Sequence, residues 1–235
     1  KFYSILKHLS AKGIEDLKTL GLDMYFSYPK PISLVSEMIS GLTLFSGKKG
    51  DIILDFFSGS ATTAHAVMQL NAKDGGNRKF IMVQLDEKTD EAGYANICEI
   101  GKERIRRAGK KILEENKDKE GIENLDIGFR VLKLDDTNME NVYYSPSEYS
   151  QDLLSKHESN VKPDRTDLDL LFGCLLEWGL PLSLPYACEN IGEHTIHNYN
   201  DGDLIACFDE NIPESVIKEI AKKRPLRAVF RDSSF

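Results

Sequence analysis

The chain has no Cys-x-x-Cys pair, no long clean apolar run, no secretory or transit signature and no excess of positive charge. Each absence excludes something. Four cysteines so widely spaced (Cys98, Cys174, Cys188, Cys207) make neither a zinc ribbon nor a dithiol redox motif. They read as reduced, mostly buried thiols of a cytoplasmic protein. The most apolar stretch, residues 170–187, is interrupted by Glu177, Trp178, Gly179 and two prolines, too broken to span a bilayer. No membrane association is expected. Acidic residues number 38 against 30 basic ones, leaving a net charge of −8. A domain whose main task is to grip phosphates runs basic, so this one is not the main grip on a nucleic acid. There is no internal repeat and no low-complexity tract. The chain opens Lys1-Phe2-Tyr3 without an initiator methionine and stops abruptly at Phe235, so the expectation is a piece of a longer protein.

What is present is an alternation of strand and helix signals. Residues 12–20 read as a short helix stopped by Gly21. Tyr28-Pro29-Lys30-Pro31 is extended, because each proline disfavours helix in the residue before it. Residues 32–45 carry apolar side chains at helical spacing. Residues 51–57 form a short, nearly continuous apolar run, the pattern of a strand buried on both faces. Ser58-Gly59-Ser60 turns the chain into a helix over 61–70. A second buried strand (79–85), a long helix with a charged outer face (94–116) and a third strand (126–134) follow. This is the doubly wound order with a parallel sheet. After about Met139 the pattern changes. Residues 143–147 are loop-like and 167–178 an apolar helix. Asn200-Asp201-Gly202 is a hairpin turn between strands at 194–198 and 203–208. A helix over 213–223 and a strand over 226–231 complete a smaller α+β region.

Chemistry concentrates at Asp55-Phe56-Phe57-Ser58-Gly59-Ser60-Ala61-Thr62-Thr63. In a doubly wound sheet, ligands sit beyond the carboxyl ends of the strands, where this turn lies. Gly59 tolerates positive φ and a close backbone approach. The amides of residues 60–62 open a helix and suit an anion. Asp55 can accept hydrogen bonds from an ammonium or a water. Lys30 and Pro31 stand just before the helix that leads into the strand. Gln84 closes the second strand, where a polar side chain meets a ribose in dinucleotide-binding folds; read alone, it is equally a surface residue.

Lys30-Pro31 followed by Leu54–Thr63 resembles the β-type amino-methyltransferases of DNA, whose cofactor motif is Asp-x-Phe-x-Gly-Ser-Gly-Thr-Thr behind a Lys-Pro motif. The modification subunit (Mod) of type III restriction–modification systems is most similar, and residues 80–87, 93–107, 128–131 and 230–235 extend the resemblance. It implies a Rossmann-like S-adenosylmethionine-dependent fold with a partial sheet, adenine N6 in double-stranded DNA as target, a helicase/nuclease restriction subunit as partner, and a homodimer. It also implies that Lys30 lies near the methionine carboxylate, that Pro31, Asp55, Phe56, Phe57, Ser58, Gly59, Ser60, Ala61 and Thr62 form the methionine end of the pocket, and that Gln84 faces the ribose. Ala61 and Gln84 depart from the pattern, which elsewhere has glycine and an acid. The catalytic Asp/Asn/Ser-Pro-Pro-Tyr/Phe motif is absent, for no two of the eight prolines are adjacent. Ser183-Leu184-Pro185-Tyr186 is a near miss that reads as a loop. In β-type order the catalytic motif precedes Lys-Pro, so the expectation is an S-adenosylmethionine-binding half with no catalytic residue of its own, and DNA contacted mainly through missing regions. The alternatives are a partner-binding or dimerisation module with a vestigial pocket, and an RNA methyltransferase.

The implied organisation is a linker and helix over 1–27, the cofactor-binding half over 28–140 and the α+β region over 141–235. His194 and His197 on one strand point to opposite faces, so no metal site is expected. The basic stretch 102–111 alternates with acids and reads as a solvated helix face. Asp135-Asp136 either caps a turn or approaches the adenosyl base, with capping favoured. Trp178 reads as a core or domain-interface residue.

Overall fold

The computed structural model describes residues 6–43, 50–89, 93–140 and 160–234. The expected loop at 143–147 lies outside them. The chain divides into two compact units, Lys1–Phe129 and Arg130–Phe235.

The first unit runs α1 (Ala11–Lys18), α2 (Ile32–Thr43), β1 (Ile52–Asp55), α3 (Thr62–Asp74), β2 (Lys79–Met82) and α4 (Ile97–Glu115). Strands β1 and β2 pair in parallel, Ile52 opposite Lys79 through Asp55 opposite Met82, and α3 makes the crossover. Helix α3 is the hub. Its residues 62–72 are buried except Gln69, because two helices and the sheet surround it. Ala66, Val67 and Leu70 meet Ile32 and Ile39 of α2 together with Ile53 and Phe80 of the strands. Ala64, Met68 and Ala72 meet Ile105, Ala108 and Ile112 of α4. Asn96 caps α4 by accepting the Glu99 N–H (2.9 Å). Arg78, 5% exposed, closes the far end of α3 by donating to both oxygens of Asp74 and to Thr43 Oγ1.

Two sequence expectations fail here. The strands are covered on one face only. Ile53 and Phe80 point into the helices, while Ile52 (62%), Leu54 (57%), Ile81 (48%) and Val83 (48%) are exposed on the other side. An all-apolar strand fits two covers, but among the described residues no element lies over the second face. Residues 126–134 form no strand either. The alternation there is real: Leu125, Ile127 and Phe129 pack on the α4 core, and the Arg106 guanidinium lies over the Phe129 ring. No backbone neighbour completes a ladder, so the segment stays extended and unpaired.

The second unit packs α5 (Asp167–Glu177) and α6 (Glu214–Lys222) with β3 (Tyr186–Ile191), β4 (His194–Tyr199), β5 (Leu204–Cys207) and β6 (Ala228–Phe230), in sheet order β3-β4-β5-β6. The first two pairings are antiparallel and the last is parallel. The hairpin at Asn200-Asp201-Gly202 forms as expected, all three residues at positive φ. Strand β5 is buried throughout between two clusters. Leu170, Leu171 and Leu175 of α5 press on Tyr199, Leu204 and Ala206; Val216 and Ile220 of α6 press on Ile196, Ile205 and Cys207. Thr166 and Asp169 form a reciprocal capping box that starts α5. Strand β3 was unexpected. Tyr186, read as part of a loop, is its first residue, and the four middle residues of the strand are exposed because it is the sheet edge.

Candidate functional site

The sequence-predicted site residues come together around the turn from β1 into α3. The turn is a tight knot of reciprocal bonds. Asp55 accepts the Phe57 N–H on Oδ1 (3.1 Å) and the Thr63 hydroxyl on Oδ2 (2.6 Å), so its carboxylate braces the turn from inside. Gly59 sits at φ +50° and Ala61 at +59°. The methyl of Ala61 is accepted in the left-handed region, which glycine enters at less cost. Gln84, at the carboxyl end of β2, accepts the Gly59 N–H on Oε1 (2.8 Å), and Ala61 N–H donates to Ser58 O (2.8 Å).

Lys30 reaches the turn through its backbone. Thr62 Oγ1 donates to Lys30 O (3.4 Å), while the lysine side chain is exposed and Pro31 is buried. Helix α1 sets this segment in place. Asp16 accepts the Ile32 N–H (2.8 Å), and a Cβ at Gly13 would lie 2.0 Å from Pro29 O. Only glycine lets α1 and the Lys-Pro segment touch backbone to backbone.

Three residues that sequence reasoning passed over complete the site. Arg104 of α4 is 0% exposed, and among the described residues no carboxylate pairs with it directly, the charge of Asp16 acting from farther off. Its Nη1 donates to Ser60 Oγ (2.8 Å), Thr62 Oγ1 (2.7 Å) and Ser60 O (3.4 Å). Its Nε and Nη2 are buried without a partner. Burial lowers its pKa to about 10, which leaves it charged at neutral pH. His65, one turn into α3, is also buried, and its Nδ1 has no partner. Burial first, then the positive charge of Arg104 and of Lys111, push its pKa down to about 3, so it is neutral. Gly101 brings α4 onto the turn; a Cβ there would lie 3.4 Å from Gly59 O. The stretch 102–111, read as a solvated helix face, is buried at Arg104, three residues before the half-exposed Arg107, which pairs with Glu103 (2.7 Å) and donates to Leu20 O (2.9 Å).

On the open side of the turn, Phe56 (62% exposed) and Phe57 (82%) stand with ring centroids 5.1 Å apart. Ser58 and Gln84 are half-buried, and Ser60 and Thr62 are buried. In the second unit His194 and His197 do part ways. His197 meets Tyr186 Oη on Nδ1 (2.8 Å) and Asp167 on Nε2 (3.3 Å), and His194 lies 3.4 Å from Asp209. Asp135 accepts the Asp136 N–H (2.8 Å) and pairs with Arg165 (3.8 Å). Trp178 is 43% exposed with Arg227 over its ring. No helix of the described residues is long and apolar enough to cross a membrane.

The first unit is thus defined as an α/β protein whose two parallel strands end in a braced glycine turn, with an arginine-backed helix N-terminus behind it. Comparison with known proteins gives the family: residues 5–110 match that of the DNA methylases. The chain is 39% identical to the Mod subunit of the type III restriction–modification enzyme StyLTI of Salmonella typhimurium, over 51% of this chain and 18% of that one. It is 34% identical to the EcoPI Mod subunit of Escherichia phage P1, over 83% and 29%. It is 32% identical to the EcoP15I Mod subunit of Escherichia coli, over 97% and 35%. Residues 5–110 thus carry the pattern of the DNA methylases, and the chain is similar to type III Mod subunits over most of its length. It spans about a third or less of their length.

Proposed function

We propose that this chain is the S-adenosylmethionine-binding part of a DNA methyltransferase that modifies adenine N6 within a type III restriction–modification system. The observation that carries the reading is the conjunction at one turn of Lys30, Asp55, Gly59, Thr62 and Gln84, held by bonds between segments 25 to 32 residues apart. A Rossmann-like sheet offers its ligand site at this place, beyond the strand ends.

The residues fit the cofactor's chemistry. Gly59 and Ala61 already spend their amides inside the turn, so the amides of Ser60 and Thr62, at the α3 N-terminus, meet the methionine carboxylate. Lys30 adds a flexible cation beside them. Arg104 reinforces the positive potential from behind. Phe56 and Phe57 shield the sulfonium end from water. Gln84 is committed through Oε1, and its Nε2 is the end that meets a ribose hydroxyl. The bound cofactor supplies an activated methyl group.

Methyl transfer also needs the target amino group held in line with that methyl. Orientation of this kind is worth on the order of 7–11 kcal/mol when ideal, and a Pro-Pro-Tyr motif that holds a flipped base is absent here. The acceptor site and the main DNA grip therefore belong to other parts of the parent protein, which also provides the contact with a restriction subunit and a homodimer. The net charge of −8 agrees with that division.

The test is titration calorimetry with the demethylated cofactor, S-adenosylhomocysteine, together with transfer of labelled methyl groups to mixed-sequence duplex DNA. The chain and a longer one carrying upstream residues are compared. Both should bind, the longer one alone should methylate, and Gly59→Val should abolish binding while leaving the fold intact. Absence of binding to the longer chain at millimolar ligand overturns the reading. So does methylation by the short chain that Gly59→Val removes.

A further inference from the structure

The second unit holds a cluster that the methyltransferase reading does not use. In the β4–β5 ladder Tyr199 pairs with Leu204, Asn198 with Ile205 and His197 with Ala206. The same count carried onward sets Ile196 opposite Cys207 and His194 opposite Asp209. Side chains two apart on a strand share a face, which brings His194 toward the end of β5, where Cys207 packs with Val216 and Ile220 of α6. One ligand atom from each lies within 4.8 Å of the others. His194 Nδ1 is 3.4 Å from Asp209 Oδ2, and Cys207 Sγ is 3.9 Å from that same oxygen.

We propose that His194 Nδ1, Cys207 Sγ and Asp209 Oδ2 form a site for a zinc-class divalent cation, bound by three protein ligands with the fourth position left to water. The geometry points to this in three ways. First, tetrahedral zinc with bonds of about 2.0–2.3 Å has ligand-to-ligand edges of roughly 3.3–3.8 Å. The His–Asp separation matches such an edge, the Cys–Asp separation lies just above it, and all three atoms lie within 4.8 Å of one another. Second, the donor set joins one thiol and one imidazole, ligands that select zinc over magnesium or calcium, with one carboxylate, which zinc also accepts. Third, the surroundings suit a metal. Cys207 is 0% exposed at the apolar base of the site, whereas the side chains of His194 (19%) and Asp209 (32%) keep a route to solvent. The carboxylate is also aimed from outside: Asp209 Oδ2 accepts the Thr195 N–H (2.8 Å), and its backbone carbonyl accepts the Ser234 hydroxyl (2.7 Å). Such outer bonds orient metal ligands.

Binding is coupled to one proton. A metal takes cysteine as the thiolate. On binding, the S–H bond breaks, the sulfur–metal bond forms with the thiolate electron pair, and the proton leaves to solvent. The ion ties the start of β4 to the end of β5, where the chain leaves the sheet for α6.

The experiment uses the untagged full chain with cobalt(II) alone and then zinc(II) in competition. A thiolate-to-cobalt charge-transfer band should appear at one equivalent and disappear when zinc is added. Zinc should raise the thermal midpoint and release about one proton per site into a weakly buffered solution at neutral pH. His194→Gln, on a side chain that reaches solvent, should keep the fold by circular dichroism and weaken zinc at least about tenfold. Cys207→Ser should lose the charge-transfer band; where that variant fails to fold, Asp209→Asn takes its place with the loss read as in His194→Gln. Absence of the band in the parent chain overturns the site. A band equally strong in His194→Gln and in the second variant also overturns it, since another thiol would then be the ligand.

Discussion

His65 on α3 and Arg104 on α4 are both buried near the glycine turn; burial lowers both pKa values, and the Arg104 charge lowers that of His65 further. A buried guanidinium with no direct ion pair among the described residues is costly. It persists here because Ser60 and Thr62 bind it, with the charge of Asp16 acting from farther off. The histidine beside it cannot also be charged. Its folded pKa of about 3 lies below the ordinary 6.5, so below pH 6.5 the unfolded chain takes up a proton that the folded chain refuses. The stability contribution is complete above pH 6.5 and drains away as pH falls toward 3, at up to about 1.4 kcal/mol per pH unit. Urea midpoints of the parent and of His65→Gln, measured at pH 7, 6, 5 and 4, should therefore converge as pH falls. Parallel curves would show that His65 is not held neutral by the fold. The two residues were illegible in the sequence for one reason: each meets its partners across a gap that no local pattern encodes, 42 to 44 residues for Arg104.

At the scale of elements, local signals located the pieces well where neighbours in sequence supply the packing. Helices α3 and α4, the strand before the glycine turn and the Asn200–Gly202 hairpin all follow that rule. Residues 126–134 alternate like a strand yet lack the backbone neighbour that would make them one. Strand β3 hides because its four middle residues lie exposed at the sheet edge; the Ile191-Gly192-Glu193 turn, with Gly192 at φ +64°, was the signal that marks it. The junction of α1 with the Lys-Pro segment was equally hidden. Gly13 reads as a flaw in a helix, where alanine would be better by about 1 kcal/mol. Packing reverses the sign, since the added Cβ would stand 2.0 Å from Pro29 O and 2.8 Å from Pro29 C, and overpacking costs about 1–3 kcal/mol. Gly13→Ala should thus lower the thermal midpoint rather than raise it. It should also weaken S-adenosylhomocysteine, because the displaced segment carries Lys30 and the carbonyl that holds Thr62. An unchanged or higher midpoint would show that α1 does not clamp this segment.

For the whole molecule, the governing feature is the uncovered face of the β1–β2 pair. Ile52, Leu54, Ile81 and Val83 lie on it, and Phe56, Phe57 and Leu85 continue the apolar surface past the strand ends. An apolar patch on strands whose outer edges are unpaired is prone to association. Each of these side chains is about half exposed or more, so covering the patch removes apolar area worth roughly 25 cal/mol per Å². The chain on its own is therefore expected to self-associate at micromolar concentration through this face. Replacing Leu54 and Ile81 together with lysine should shift the population to monomer in sedimentation and light scattering. The thermal midpoint should change little, because both side chains already stand in water and the core beneath them, formed by Ile53 and Phe80, is untouched. Salt separates this association from a charge-driven one: an apolar contact holds or tightens as salt is raised, whereas contacts between this acidic chain and any basic surface weaken. A parent chain that stays monomeric at all these concentrations would mean that the exposed face carries no drive to associate, and that whatever covers it in a longer protein is held there by other contacts.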